Sequence, residues 1–495
     1  MKKVLTAVRR FCVPGALLWA IAAPGMSVNC VAAPVLPTDG LVIQLDAGTL
    51  TGFNDGDEIT SWISSADGTA FTNISDTSKP QYYSSVAHLG GQAALYFDAD
   101  CLKSSGTFGI SGANGRTVIA VWADAVNTGA NYQHVIHMGN NATDQAYGMS
   151  VNRKDNTNAV GNHSWGNGAN AALKATSAGN TAAFTYTGGK DYFIVNGEYG
   201  GAWSRNLNTA ANTTLIGSRL DPGASSTEGI KGYVAEVLVY DRPLTGAEML
   251  AVNSYINNKY SLGMTTGIDM DLTGAQISLD FENGNSVTGG QYVGLQTDNG
   301  NTSLRILESV TNSVNNYAYL SGTNSATGTI SGTYDLRFTN SAADGVSFIL
   351  AGDAVDVTKD YGDAPVGETP SFADSFGIGY TIYQKNQVGL YWDGKQIGTI
   401  NTTDGNAANP QYDLKSGNWF TTQFQIDYRT GGYGADVDLV LYDTATGGIF
   451  GTWSGYVDGM TPGNSQLCCA DATAARRQTP TSIIFRSNTK TQPLS

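Results

Sequence analysis

Seven tryptophans lie beyond residue 33, and three of them stand where a flat ring could meet a ligand. Trp165 in "GNHSWGNGAN" and Trp203 in "YGGAWSRN" fall in polar, glycine-rich loops, and Trp392 flanks an Asp393-Gly394 turn. An exposed indole covers the apolar face of a pyranose while nearby amides and carboxylates take its hydroxyls. Trp62 and Trp122 sit inside strand patterns and are read as core; Trp453 in "IFGTWSGY" is the remaining loop candidate. Asp344 and Gly345 in "AADGVSFILAG" form ordinary turn chemistry ahead of an apolar strand. A carboxylate held there could also accept two sugar hydroxyls, and such charge-assisted bonds are the stronger kind.

Other acidic groups suggest a cation or a catalyst. "NDGDE" (Asp55, Asp57) and "FDADC" (Asp98, Asp100) carry the oxygens that calcium uses, the alternative being solvated turns. Asp280 with Glu282, and Asp436 with Asp438, have the i, i+2 spacing that shares one strand face. A retaining glycosidase needs two carboxyls about 5 Å apart, but both pairs fall where an outer polar face is expected. His134 and His137 in "HVIH" are three apart on a predicted strand, which places them on opposite sides and weakens a metal pair. No phosphate loop, dinucleotide fingerprint or nucleophile elbow occurs in the chain. No cofactor is required by any of these patterns, and calcium is the ion the acidic clusters would take.

The elements that must position these residues are strands. The chain has 495 residues, 61 glycines, 25 tyrosines and only 14% charged residues, a balance that fits many short strands and tight turns. Residues 1–33 read as a secretory signal: Lys2, Lys3, Arg9 and Arg10 precede the apolar "VPGALLWAIAAPGM", and "NCVAAP" offers a small-residue cleavage site. Loss of those four basic residues takes the formal charge from −15 to −19. So acidic a chain repels phosphate backbones and anionic membranes, which excludes nucleic acid as a partner. No later run has the eighteen or so apolar residues of a membrane-spanning helix. The expected location is therefore secreted, extracellular or at the cell surface. Beyond the signal, Cys101, Cys468 and Cys469 remain, and sequence leaves their pairing open.

The clearest landmark is "GYVAEVLVYDRPLTGAEMLAVNSYINNKYSLG", residues 232–263. Val234–Tyr240 reads as a strand. Thr245 and Glu248 have capping-box spacing, Leu244 and Met249 staple spacing, and Met249, Val252, Ile256 and Tyr260 recur at helical period. One amphipathic helix is predicted, ending before Gly263. This passage resembles the end of bacterial laminin G-like jelly-roll domains, where a "G-x-[IV]-A-E" strand precedes a helix. "GLVIQLDAG", "GGQAALYFDADCLKSS" and "RTVIAVWAD" are similar to that family's earlier strands. The resemblance covers about residues 36–262 and implies a concanavalin A-like sandwich. Ala235 stands where related domains often carry an aspartate before the glutamate, which departs from their structural ion site.

The second half shows turn signals every eight to twelve residues. "NQVGLYWDGKQIGTI" reads as a hairpin about Asp393-Gly394, and Val437, Leu439 and Leu441 share a face of the strand after "YRTGGYG". "AADGVSFILAG" and "NWFTTQFQIDY" resemble strands of L-type (legume-type) lectins. That resemblance implies a sugar contact at Asp344, but the stretch matching the lectins' metal-binding strand, "SFGIGYTIYQKN", has no carboxylate. The chain is thus expected to be all-β: a signal (1–33), a laminin G-like jelly roll closed by one short helix (34–263), a lectin-like sandwich (264–487) and a polar tail (488–495). The expected activity is non-catalytic binding of an extracellular polysaccharide or cell-surface glycan, or adhesion. The contact residues would be Asp344, Gly345, Trp165, Trp203 and Trp392. The alternatives are a glycoside hydrolase or lyase, and a structural or adhesive surface protein with no small-molecule site. Fold alone does not choose among them.

Overall fold

The structure, a computed structural model, describes residues 35–104, 106, 108–126, 132–152, 158–219 and 228–267 of the first half. Of the second half it describes 287–289, 294–298, 301–307, 315–324, 329–339, 345–352, 369–370, 372–382, 386–402, 412–428, 434–461, 465–472 and 482–486. Among these residues almost every element is a strand, and Gly246–Tyr260 is an α-helix. The architecture is all-β, built as jelly-roll β-sandwiches, as expected.

In the first sandwich, an eight-stranded sheet faces part of a larger sheet. The smaller sheet runs, edge to edge, through Ala169–Lys174, Ala159–Asn162, Ala146–Val151, Gln133–Gly139, Thr214–Ile216, Leu102–Ser104, Ala70–Asn73 and Ser61–Ile63. Within the larger sheet, the strand Arg116–Ala123 is buried on both faces, which is why its sequence is so uniformly apolar. Val118, Ala120 and Trp122 point into the inter-sheet core with Trp62, Phe97 and Phe184. Ile119, Val121 and Ala123 point the other way, under the helix. Each fully buried valine, isoleucine or phenylalanine among these contributes about 1.5–3 kcal/mol.

The helix forms as its spacing predicts. The Thr245 side chain accepts from the Glu248 amide while the Glu248 carboxylate accepts from the Thr245 amide, closing the capping box. Leu244 and Met249 are buried together beneath it. Arg242 grips Glu248 through two bonds of 2.7 and 2.9 Å, holding that carboxyl at about 2. The helix ends at Ser261, which itself takes the left-handed conformation (φ 52°). Glu236, on the closing strand Lys231–Tyr240, is fully buried and serves this helix: it accepts from Tyr260 Oη (2.8 Å), Lys259 Nζ (2.9 Å) and Tyr255 Oη (3.1 Å).

The second sandwich places Phe348, Ile378, Tyr380 and Leu390 of a seven-stranded sheet against Leu336, Phe424, Val437, Leu439 and Leu441 of the large sheet. Asp393 and Gly394 both have positive φ (50° and 71°) between the paired residues Trp392 and Lys395, the tight hairpin expected of Asp-Gly. The two sandwiches meet where Glu198 pairs in parallel with Ile449. Leu250 of the helix packs with Val440, Tyr442 and Ile449 at this seam. Gly246 is needed there: a Cβ on it would lie 2.3 Å from the Thr444 carbonyl oxygen. The signal, Asp344, Asp280, Glu282 and the tail lie outside the described residues.

Candidate functional site

The site that assembles most chemistry is on the outer face of the eight-stranded sheet and contains Trp165. Along Ala146–Val151, Tyr147, Met149 and Val151 enter the core, so Gly148 and Ser150 face outward. On the neighbouring strand Gln133–Gly139 simple alternation would separate His134 from His137. The structure corrects that expectation. A bulge between His134 and Ile136 inserts Val135, so that His134 pairs with Ser150 and His137 with Gly148, both on the outer face. A bulge adds one residue and resets the side-chain period. Gly148 leaves the room: a Cβ there would lie 3.1 Å from His137 Nδ1 and 3.2 Å from His134 Cδ2.

A third imidazole comes from the turn after Ala159–Asn162. His163 Nδ1 lies 2.9 Å from His134 Nε2. The ring of His163 stacks with Tyr132 (centroids 4.5 Å) and with Trp165 (5.7 Å, planes 14° apart). The Arg219 guanidinium sits 4.3 Å over the Trp165 ring and forms a contact ion pair with Glu228. The Glu228 carbonyl oxygen in turn accepts from the His134 amide (3.0 Å).

The turn holding Trp165 is rigidly tied. Ser164 Oγ donates to the Asn167 carbonyl (2.6 Å), Asn167 Nδ2 donates to Asp144 Oδ1 (2.8 Å), and the Asp144 amide donates to the Ser164 carbonyl (3.0 Å). Arg205 Nη1 reaches both Ser164 Oγ and Asn167 Oδ1. Trp165 itself is held at φ +50°, a conformation costing a bulky L-residue on the order of 1–2 kcal/mol. The local network fixes it there with the indole half-buried. Behind the turn, inside the sandwich, Tyr147 Oη and Asn162 Nδ2 both donate to the buried Asp191 (2.9 and 2.5 Å), whose carboxyl burial pushes up to about 6.

Enclosure dominates the electrostatics. Burial, then repulsion from His163 and Arg219, lowers His137 to about 3; burial and the two neighbouring imidazoles push His134 well below its ordinary value. Both rings are therefore neutral near pH 7, each with one donor and one acceptor. Neither His137 nitrogen has a hydrogen-bond partner among the described residues. Three imidazoles come together here, yet among the described residues no set of three or more His, Cys, Asp or Glu is arranged to hold a metal ion.

The other expected site residues are dispersed. Trp203, on the strand Glu198–Ser204, is half-buried against Phe193 (4.8 Å) and packs on the first core. Trp392 ends the strand Gln387–Trp392 and packs on the second core. Gly345 opens the buried strand Gly345–Gly352, opposite Thr381. Each of the four aspartates is bonded elsewhere. Asp55 accepts from the Ser84 amide (2.7 Å), Asp57 from the Asn54 amide (2.7 Å), and Asp100 from the Asp98 amide (2.9 Å). Asp98 pairs with Lys231 (2.8 Å). Sequence reasoning missed Tyr132, His163, Arg219 and Glu228. The one available signal was that three of the four histidines fall between residues 134 and 163.

No protein-family profile matches the chain, and no curated protein matches it. Among solved structures, lectin II from Ulex europaeus is 12% identical over 41% of this chain and 93% of the lectin, with a TM-score of 0.27. Domain 4 of an extracellular arabinanase from Geobacillus stearothermophilus, solved with arabinotriose, is 12% identical over 44% of this chain and 98% of that domain, TM-score 0.31. Tailspike protein 2 of bacteriophage CBA120 is 15% identical over 43% of this chain and 33% of that one, TM-score 0.29. The chain's own strand pairings, described above, establish its architecture.

Proposed function

We propose that this chain is an exported carbohydrate-binding protein of two domains, 34–263 and 264–487, and that it takes an extracellular polysaccharide or cell-surface glycan at Trp165. The observation that carries this reading is the half-exposed indole locked at positive φ over an ion pair, Arg219 and Glu228. A pyranose laid on the open part of the indole would bury its apolar face there, while the buried Arg219 and Glu228 hold the ring from behind. Preorganisation by the Ser164, Asn167 and Asp144 bonds lowers the ordering cost of binding. Catalysis is less well supported, because the imidazoles with acid–base chemistry, His134 and His137, are enclosed rather than open to a polymer. No described helix is long and apolar enough to cross a membrane.

The test is a glycan array followed by calorimetry on the mature chain. Trp165→Ala is expected to weaken binding by about tenfold or more, the scale of one lost aromatic contact, while Asp344→Ala leaves it intact. Binding indifferent to Trp165 but lost with Asp344→Ala would move the site to the second sandwich.

A further inference from the structure

A second aromatic surface lies on the opposite side of the first sandwich, on three adjacent strands. Gln81–Val86, Gln92–Asp98 and Lys231–Tyr240 pair side by side, with Tyr233 directly opposite Tyr96 and Gln81 opposite Tyr96 on its other flank. Their intervening residues Tyr82, Leu95 and Val234 enter the core, so Tyr83, Tyr96 and Tyr233 project from the outer face. The three rings touch edge to face, with centroids 5.4 Å apart for Tyr83–Tyr233, 5.1 Å for Tyr96–Tyr233 and 6.4 Å for Tyr83–Tyr96. All three remain partly open to solvent.

The rim of this patch is acidic. The phenol of Tyr96 is pushed up by burial and then by Asp98, with Asp100 adding to it; Asp55 and Asp124 act likewise on Tyr233. Lys231 is the cation that offsets them, and it is held by Asp98. Asp124 of this rim meets His88, whose Nδ1 lies 2.7 Å from its Oδ1, and His88 in turn lines a cavity of about 590 Å³. The half-buried Glu198 and Lys174 are also among the residues that line this cavity.

We infer that the Tyr83–Tyr96–Tyr233 face is a second glycan site, independent of Trp165, and that it takes a polysaccharide bearing free amino groups. Aromatic faces stack on sugar rings and attract ammonium groups through their quadrupoles. The surplus of carboxylates around them complements a positively charged chain and repels uronic or sulfated ones. A neutral glycan would use the rings and leave the acidic rim unanswered.

The full chain is titrated by calorimetry with a glucosamine hexamer, its fully N-acetylated counterpart, cellohexaose and hexalysine. The glucosamine hexamer is expected to bind most tightly and to weaken with added salt. Tyr96→Ala should cost about tenfold in affinity; Tyr96→Phe, which keeps the ring, and Trp165→Ala, on the opposite side, should retain it. Thermal melts of both Tyr96 variants show that each is folded. The inference is overturned if the glucosamine hexamer does not bind, if the acetylated hexamer or cellohexaose binds as well, or if hexalysine competes equally. It is also overturned if Trp165→Ala rather than Tyr96→Ala removes the binding.

Discussion

Replacing His137 with glutamine should remove part of the protein's acid sensitivity. The ring of His137 is 1% exposed, between His134 and the backbone of Gly148. In the folded chain it takes a proton only near pH 3, against about 6.5 once unfolded. Between those values the unfolded state binds a proton that the folded state refuses, so stability is whole above pH 6.5 and falls as the pH drops toward 3. At 1.36 kcal/mol per pH unit, His137 alone should cost about 2 kcal/mol between pH 6.5 and pH 5. Glutamine has similar reach and does not titrate. Chemical denaturation of wild type and His137→Gln at pH 7, 6 and 5 reads the difference directly. The wild type should lose about 2 kcal/mol relative to the variant over that range. Asp191, whose raised carboxyl works in the opposite direction below pH 6, is common to both proteins and cancels. Parallel pH curves for the two proteins would refute the reasoning and show that protons reach this imidazole in the folded state.

Two further substitutions probe the supports of the fold and the site. Glu236→Ala removes the buried acceptor shared by Tyr260, Lys259 and Tyr255; Lys259 keeps Asp46 at 2.7 Å, so the cost should be near the lower end for a broken buried pair, about 3 kcal/mol by urea denaturation. A loss under 1 kcal/mol would mean that the helix is held by its apolar face alone. Gly148→Ala places a methyl 3.1 Å from His137 Nδ1 and 3.2 Å from the Ile136 carbonyl oxygen. It should destabilise by about 1–3 kcal/mol and weaken glycan binding at Trp165; an unchanged melting temperature would show that the imidazoles shift without resistance.

Local chemistry made much of the fold legible in the sequence. Thr245 and Glu248 close a capping box within four residues, Asp393-Gly394 turns a hairpin within two, and Val437, Leu439 and Leu441 need only alternation to find one face. Such features depend on neighbours along the chain, so spacing and residue type suffice. Trp62 and Trp122 were also legible as core because they sit inside strand patterns. Contacts across the sheets depended on the fold. Whether His134 and His137 share a face hung on one inserted residue, Val135, and a bulge has no fixed sequence mark. Arg219 and Glu228 reach Trp165 only because the strands between them fold back, bringing together residues more than fifty positions apart. The acidic pairs at Asp55, Asp57, Asp98 and Asp100 looked alike in sequence; Asp57 and Asp100 accept from amides three and two residues away, whereas only the fold gave Asp55 the Ser84 amide and Asp98 the Lys231 ammonium. Alternation and capping are therefore properties of short segments, which sequence by itself determines, whereas a binding surface is made of separate segments and is decided only when the sheets pack.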